Sequence, residues 1–141
     1  VGSLEVTGAS PGMFSVNAAG TAQGYLVREL ADGSASAEEF TRTNPDTGAL
    51  EPIDIDMGAE DTKIYLVLYG TGLRGVSALA AMGATAAGEA ATVTDVHANE
   101  NIPALDEVRM LLPRSLVGKG EVEIRVTADG VTSNGVKIRV L

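Results

Sequence analysis

Gly70-Thr71-Gly72-Leu73-Arg74-Gly75 follows an apolar run and matches the spacing G-x-G-x-x-G. Glu89 stands about 20 residues further on, where a ribose-binding carboxylate would be needed. In a dinucleotide site such glycines let the backbone approach a pyrophosphate at the start of a helix. The stretch that would have to be that helix is interrupted by Gly83 and Gly88, each costing about 1 kcal/mol relative to Ala. No βαβ unit follows, so a Gly-rich turn between strands is the stronger reading.

Asp46, Glu51, Asp54, Asp56, Glu60 and Asp61 offer the oxygen ligands that a hard cation such as Ca²⁺ takes. Their spacing is not that of an EF-hand loop, and Asp54 and Asp56 alternate with Ile, as on the solvated face of a strand. His97 is the one histidine and lies in the polar stretch Asp95-Val96-His97-Ala98-Asn99-Glu100-Asn101. No G-x-S-x-G elbow accompanies it, which leaves a surface histidine. A glycosidase pair of carboxylates is a matter of separation in space, and with 19 acids in the chain their presence alone selects nothing. No catalytic residue, cofactor or metal ligand is therefore assigned.

The elements that would have to position any site are strands. Side chains alternate with period two through most of the chain, as in strands with one buried face. Pro52-Ile53-Asp54-Ile55-Asp56-Met57 sets two Ile and a Met against two Asp. Glu121-Val122-Glu123-Ile124-Arg125-Val126-Thr127 sets charges against Val, Ile and Val. Asp129-Gly130 favours a type I′ turn, whose two central residues need φ > 0. Val136–Val140 then alternates again, and the two runs predict a C-terminal hairpin. Ile64-Tyr65-Leu66-Val67-Leu68-Tyr69 is apolar without a break and reads as a central strand buried on both faces. Further strands are expected at 4–6, 13–16, 22–28, 38–43, 50–55, 80–85, 90–96 and 107–112, separated by turn signals such as Asn44-Pro45-Asp46-Thr47-Gly48. About ten short strands spaced by turns predict an all-β sandwich or barrel. A division near residue 60 gives a β-rich part, 1–60, packed on a sandwich, 61–141; one continuous domain, 1–141, is the alternative.

Composition narrows the classes. The 141 residues carry a net charge of −9, which argues against a nucleic-acid partner, since phosphates call for a basic face. The absence of Cys excludes a disulfide scaffold, a thiolate zinc site and a Cys nucleophile. No apolar run approaches the roughly 20 residues of a membrane-spanning helix. Aromatic residues make up only 4% and Trp is absent, so Val, Leu, Ile and Ala must fill the core. The opening Val1-Gly2-Ser3 reads as a processed form or an excised fragment, with any signal peptide already removed.

Several blocks together carry a resemblance. Ile53-Asp54-Ile55-Asp56-Met57-Gly58 and Tyr65-Leu66-Val67-Leu68-Tyr69-Gly70-Thr71-Gly72-Leu73-Arg74 are joined by Ala9-Ser10-Pro11-Gly12-Met13-Phe14-Ser15 and Leu112-Pro113-Arg114-Ser115-Leu116-Val117-Gly118-Lys119-Gly120-Glu121-Val122. With the ending Thr127-Ala128-Asp129-Gly130-Val131-Thr132-Ser133-Asn134-Gly135-Val136, the chain resembles the Solibacter-type uncharacterised C-terminal domain of secreted acidobacterial proteins. Its second half also looks like an immunoglobulin-like IPT/TIG β-sandwich. Departures fall at Ala87-Gly88-Glu89, where the family has a Gly-Gly hairpin, at Asp106-Glu107-Val108-Arg109, where it has Asp-Gln-Val-Asn, and at Asn99–Pro103, where it has a Gly-rich loop. The resemblance implies a secreted or cell-surface setting and supplies no catalytic residues.

The leading expectation is a non-catalytic extracellular structural or interaction module: a spacer, an adhesion unit or a self-assembling filament subunit. Unpaired strand edges would accept a neighbouring strand. Leu4 and Val6 at one end and Val136, Ile138 and Val140 at the other are the expected assembly residues, through strand exchange between copies or contact with other cell-surface proteins. The alternative is a carbohydrate- or surface-binding module of a larger secreted protein. Exposed aromatics would serve that purpose, but Tyr65 and Tyr69 read as core.

Overall fold

The computed structural model describes residues 11–73, 81–102 and 104–141, and the chain is all-β, with no α-helix among those residues. Its strands are β1 (Gly12–Met13), β2 (Gly24–Glu29), β3 (Ala35–Glu38), β4 (Thr41–Thr43), β5 (Leu50–Pro52), β6 (Lys63–Thr71), β7 (Met82–Ala86), β8 (Glu89–Ala98), β9 (Asp106–Leu111), β10 (Gly120–Ala128), β11 (Val131–Thr132) and β12 (Val136–Val140). Ten of them make one large antiparallel sheet in the order β11-β10-β7-β8-β9-β6-β2-β3, with β1 added on β6 and β12 on β10; β4 and β5 form a separate hairpin. Strands from both sides of residue 60 thus share one sheet.

Period-two alternation produces the core. Val122, Ile124 and Val126 of β10 and Val136, Ile138 and Val140 of β12 point inward, while Glu121, Glu123 and Arg125 stay exposed. They join Leu26, Ile64, Leu66, Leu68, Val108 and Met110 in one hydrophobic cluster. The expected turn at Asp129-Gly130 forms, with φ of +48° and +82°. The hairpin it opens carries a break: β10 pairs first with β11, the chain passes through 133–135, and β12 then pairs with residues 120–124.

Three local expectations are corrected. The strand expected at 38–43 is two strands, because Phe40 turns its ring into the core at 1% exposure and interrupts the alternation between β3 and β4. The run at 52–57 leaves regular strand after Pro52, and Ile53 is exposed while Ile55 and Met57 are buried. The run 64–69 is not buried on both faces. Ile64, Leu66 and Leu68 enter the core, whereas Tyr65 and Tyr69 lie half-buried on the opposite face, with Val67 covered between them.

Long-range polar ties hold the N-terminal segments to the C-terminal strand. The Ala22 N–H donates to the Lys137 carbonyl and the Lys137 N–H to the Gly20 carbonyl, both at 2.8 Å. Further along, the Ile55 N–H donates to the Arg139 carbonyl and the Leu141 N–H to the Ile55 carbonyl. The Asn134 side chain accepts from the Met13 N–H at 2.8 Å and donates to the Met13 carbonyl at 3.1 Å.

Candidate functional site

The residues singled out for chemistry do not converge. Gly70 ends against β1, Gly72 takes φ +70°, and the Leu73 N–H donates to the buried Asp106 carboxylate at 2.9 Å, which fixes the turn after β6. Arg74 and Gly75, and with them the start of the helix a nucleotide site would need, lie outside the described residues. Glu89 accepts from the Ser115 hydroxyl at 2.9 Å. Among the acids, Glu51 pairs with Arg42 and Asn44, Asp54 with Arg139, and Asp56 accepts from the Gly58 N–H. Among the described residues no group of three or more His, Asp or Glu is placed to hold a metal ion. Of the expected assembly residues, Leu4 and Val6 lie outside the described residues. Val136, Ile138 and Val140 have their side chains in the core, and the outer edge of β12 bonds to residues 20–22 and 55 of the same chain.

A different set converges on the outer face of β2, β6, β9 and β8. The antiparallel register places Tyr25 beside Val67, Val67 beside Arg109 and Arg109 beside Asp95. One row along, Tyr69 stands beside Glu107 and Glu107 beside His97; one row the other way, Val27 stands beside Tyr65 and Tyr65 beside Leu111. All three tyrosines of the chain therefore share one sheet face, with Tyr65 and Tyr69 about 13 Å apart along β6. Tyr25 and Tyr69 meet edge to face at 6.4 Å between ring centres, the geometry that aromatic quadrupoles favour. The Arg109 guanidinium carbon lies 4.2 Å from the centre of the Tyr65 ring, a cation–π contact.

Charge on this face is organised around Glu107. Its carboxylate is nearly buried, accepts from the Asn99 amide at 3.0 Å and lies 3.7 Å from His97 Nε2, while His97 Nδ1 lies 2.8 Å from Asp95. Burial pushes the Tyr25 phenol above its ordinary pKa; the Glu107 charge pushes the same way and Arg109 pulls back. Tyr69 is also raised, by burial first and then by Glu107, Tyr25 and Glu39. Both phenols are thus held neutral and can donate. Among the described residues no hydrogen bond ends on the hydroxyl of Tyr25, Tyr65 or Tyr69. Two hollows open on the face. A cleft of about 500 Å³ is lined by Val16, Gln23, Tyr25, Glu39, Thr43 and Tyr69, with the β4–β5 hairpin as one wall. A hollow of about 260 Å³ lies between Tyr65, Thr94, Asp95 and Arg109.

Sequence reasoning missed this face because an unbroken apolar run hides which of its members are aromatic and amphipathic. The usable signal was that Tyr65 and Tyr69 hold odd positions against Ile64, Leu66 and Leu68, in phase with the charges at 107 and 109 around Val108. Compared with protein-family models, curated proteins and solved structures, the chain matches none of them.

An alkaline titration tests the placement. Followed by phenolate absorbance, Tyr25 and Tyr69 should ionise above the ordinary value near 10. The folded chain holds these protons more tightly than the unfolded chain, so stability should fall as pH rises past about 10. The loss should continue until the folded-state midpoints are reached. Glu107→Gln should lower both midpoints, because one of the charges keeping the phenols protonated is gone. Unchanged midpoints in that variant would mean that Glu107 does not face the rings.

Proposed function

We propose that this chain is a non-catalytic interaction module of a secreted or cell-surface protein, an adhesion or surface-binding unit that meets its partner through the tyrosine face. One observation carries the reading. A sheet face bordered by the β4–β5 hairpin holds every tyrosine of the chain half-buried, with no hydrogen bond on their hydroxyls among the described residues and Arg109 and Glu107 set between them. Amphipathic rings of this kind supply contact area at low entropic cost and keep a polar handle for hydrogen bonding. The resemblance to a secreted C-terminal domain supports the extracellular setting. An immunoglobulin-like, IPT/TIG-like sandwich is the finer fold we propose. β8 supports it by pairing with β7 through residues 89–91 and with β9 from Thr92 on, across a register shift between Val93 and Asp95; strands that pass between sheets do so at such irregularities. Retention on insoluble polysaccharides and sedimentation velocity test the reading. The wild type should be retained or associate, and Tyr25→Ser with Tyr69→Ser should abolish this while leaving the far-UV circular dichroism intact. A monomer retained by no surface would end it.

A second reading, self-assembly through a strand edge, is favoured by β3. Its Ala35, Ser36 and Ala37 are exposed, and among the described residues its far edge has no partner strand. The Leu30 N–H donates to the Ser34 carbonyl at 2.8 Å, so by alternation the backbone groups of Ala35 and Ala37 point away from β2. If copies associate there, Ala37→Pro removes an outward donor without touching the β2 ladder and returns the protein to monomer.

A further inference from the structure

We infer that the cleft beneath the β4–β5 hairpin is a subsite for a neutral, extended hexose oligosaccharide, an assignment that rests on the face-binding reading above. The cleft joins two tyrosine rings to a mixed set of donors and acceptors: Gln23, Glu39, Thr41 and Thr43 line it together with Tyr25 and Tyr69. That pairing suits a ligand with one apolar C–H face and a rim of hydroxyls. The rings take the flat face of a sugar, and the amide, carboxylate and hydroxyl groups exchange hydrogen bonds with its edge. A volume of about 500 Å³ lies within the ordinary range for a small-ligand cleft. The face continues past the cleft along β6 to Tyr65 and Arg109, about 13 Å further on, which matches an extended chain better than a single sugar.

Charge selects the class within the sugars. Glu39 lines the cleft, Glu107 and Asp95 stand on the same face, and Arg42 is already paired with Glu51 at 2.7 Å. With the whole chain at −9, a uronate or sulfated chain would meet repulsion, opposed on this face by Arg109, stacked on Tyr65, and by Arg42, which lines the cleft with its charge shared with Glu51. An uncharged chain meets no such barrier. A peptide strand would seek an unpaired backbone ladder, and the face interior has none to offer, since β2, β6 and β9 are paired on both sides.

Because the chain lacks Trp and its three tyrosines all lie on this face, intrinsic tyrosine emission reports on occupation directly. The experiment titrates the protein with cellohexaose and mannohexaose, and with a hexamer of galacturonate, by calorimetry and tyrosine emission. At least one neutral hexaose should bind, shift the emission and outbind the galacturonate. Tyr69→Ala should weaken binding about tenfold or more, the scale of one lost aromatic contact. Glu39→Ala, an exposed change that leaves the core alone, should weaken it several-fold. Galacturonate binding in place of the neutral sugars would overturn the ligand class and leave the face reading standing. Neutral binding with unmoved emission and an indifferent Tyr69→Ala would overturn both. Self-association that is lost in Tyr69→Ala, without binding of any sugar, would make the face a contact between copies and overturn the sugar assignment alone.

Discussion

Replacing Leu66 with Ala should lower the unfolding free energy by about 3–4 kcal/mol, the range for deleting a fully enclosed leucine whose surroundings cannot collapse. Leu66 is wholly buried in the middle of β6 and stands in register with Leu26 on one side and Met110 on the other, both buried. Ile64, Leu68 and Val108 belong to the same cluster, so the vacated volume is walled by strands bonded on both edges. The midpoint of thermal unfolding should fall by roughly 10 °C. Tyr65→Ala, one residue away on the opposite face, should cost only about 1–1.5 kcal/mol, from partial burial of the ring and its contact with Arg109. Urea unfolding of the two variants checks the pair. Equal costs would mean that β6 does not divide its side chains between a core and an open face, and the candidate site would lose its basis.

The second large effect is expected at Arg114, which opens a short 3₁₀ turn, Arg114–Leu116. Its guanidinium donates to the carbonyls of Met57, Gly58 and Thr62 and so gathers the loop between the buried Met57 and β6. Gly58 sits there at φ +69°, its N–H held by Asp56 at 2.8 Å. The planar fork spreads these bonds over two nitrogens, Nη1 to Met57 and Thr62 and Nη2 to Gly58, whereas a lysine would have to reach all three carbonyls from a single nitrogen. Arg114→Met keeps most of the stem and removes the donors, and should cost about 2–3 kcal/mol, since hydrogen bonds to a charged group are the stronger kind. Arg114→Lys should recover less than half of that. Amide exchange at 57–62 should accelerate in both variants. A lysine variant as stable as the wild type would mean that the charge, and not the three-carbonyl geometry, holds the loop.

Much of the architecture was legible because alternation is a local property. Glu121–Thr127 and Val136–Val140 carry their inside and outside in the order of their residues, and Asp129-Gly130 announces its turn through the φ > 0 that its conformation demands. β3 was not legible: Ala35-Ser36-Ala37-Glu38 has no apolar contrast, and it is a strand because β2 offers a ladder beside it. Phe40 and Ile53 broke their patterns for the opposite reason, one drawn into the core at a corner and one left outside it. The site was less legible still. Tyr25, Tyr65, Tyr69, Asp95, His97, Glu107 and Arg109 are dispersed over 85 positions, and no spacing rule joins them.

By itself, the order of residues determined that this chain would build strands, with an aliphatic interior and an anionic exterior. Side-chain period and turn conformation depend only on near neighbours. Which strands lie side by side was decided by the tertiary structure, because register is a choice among distant partners made by burying Leu26, Leu66, Val108 and Met110 together. That same choice, acting on the opposite side of each strand, brought three tyrosines, an arginine and a nearly buried glutamate onto one face.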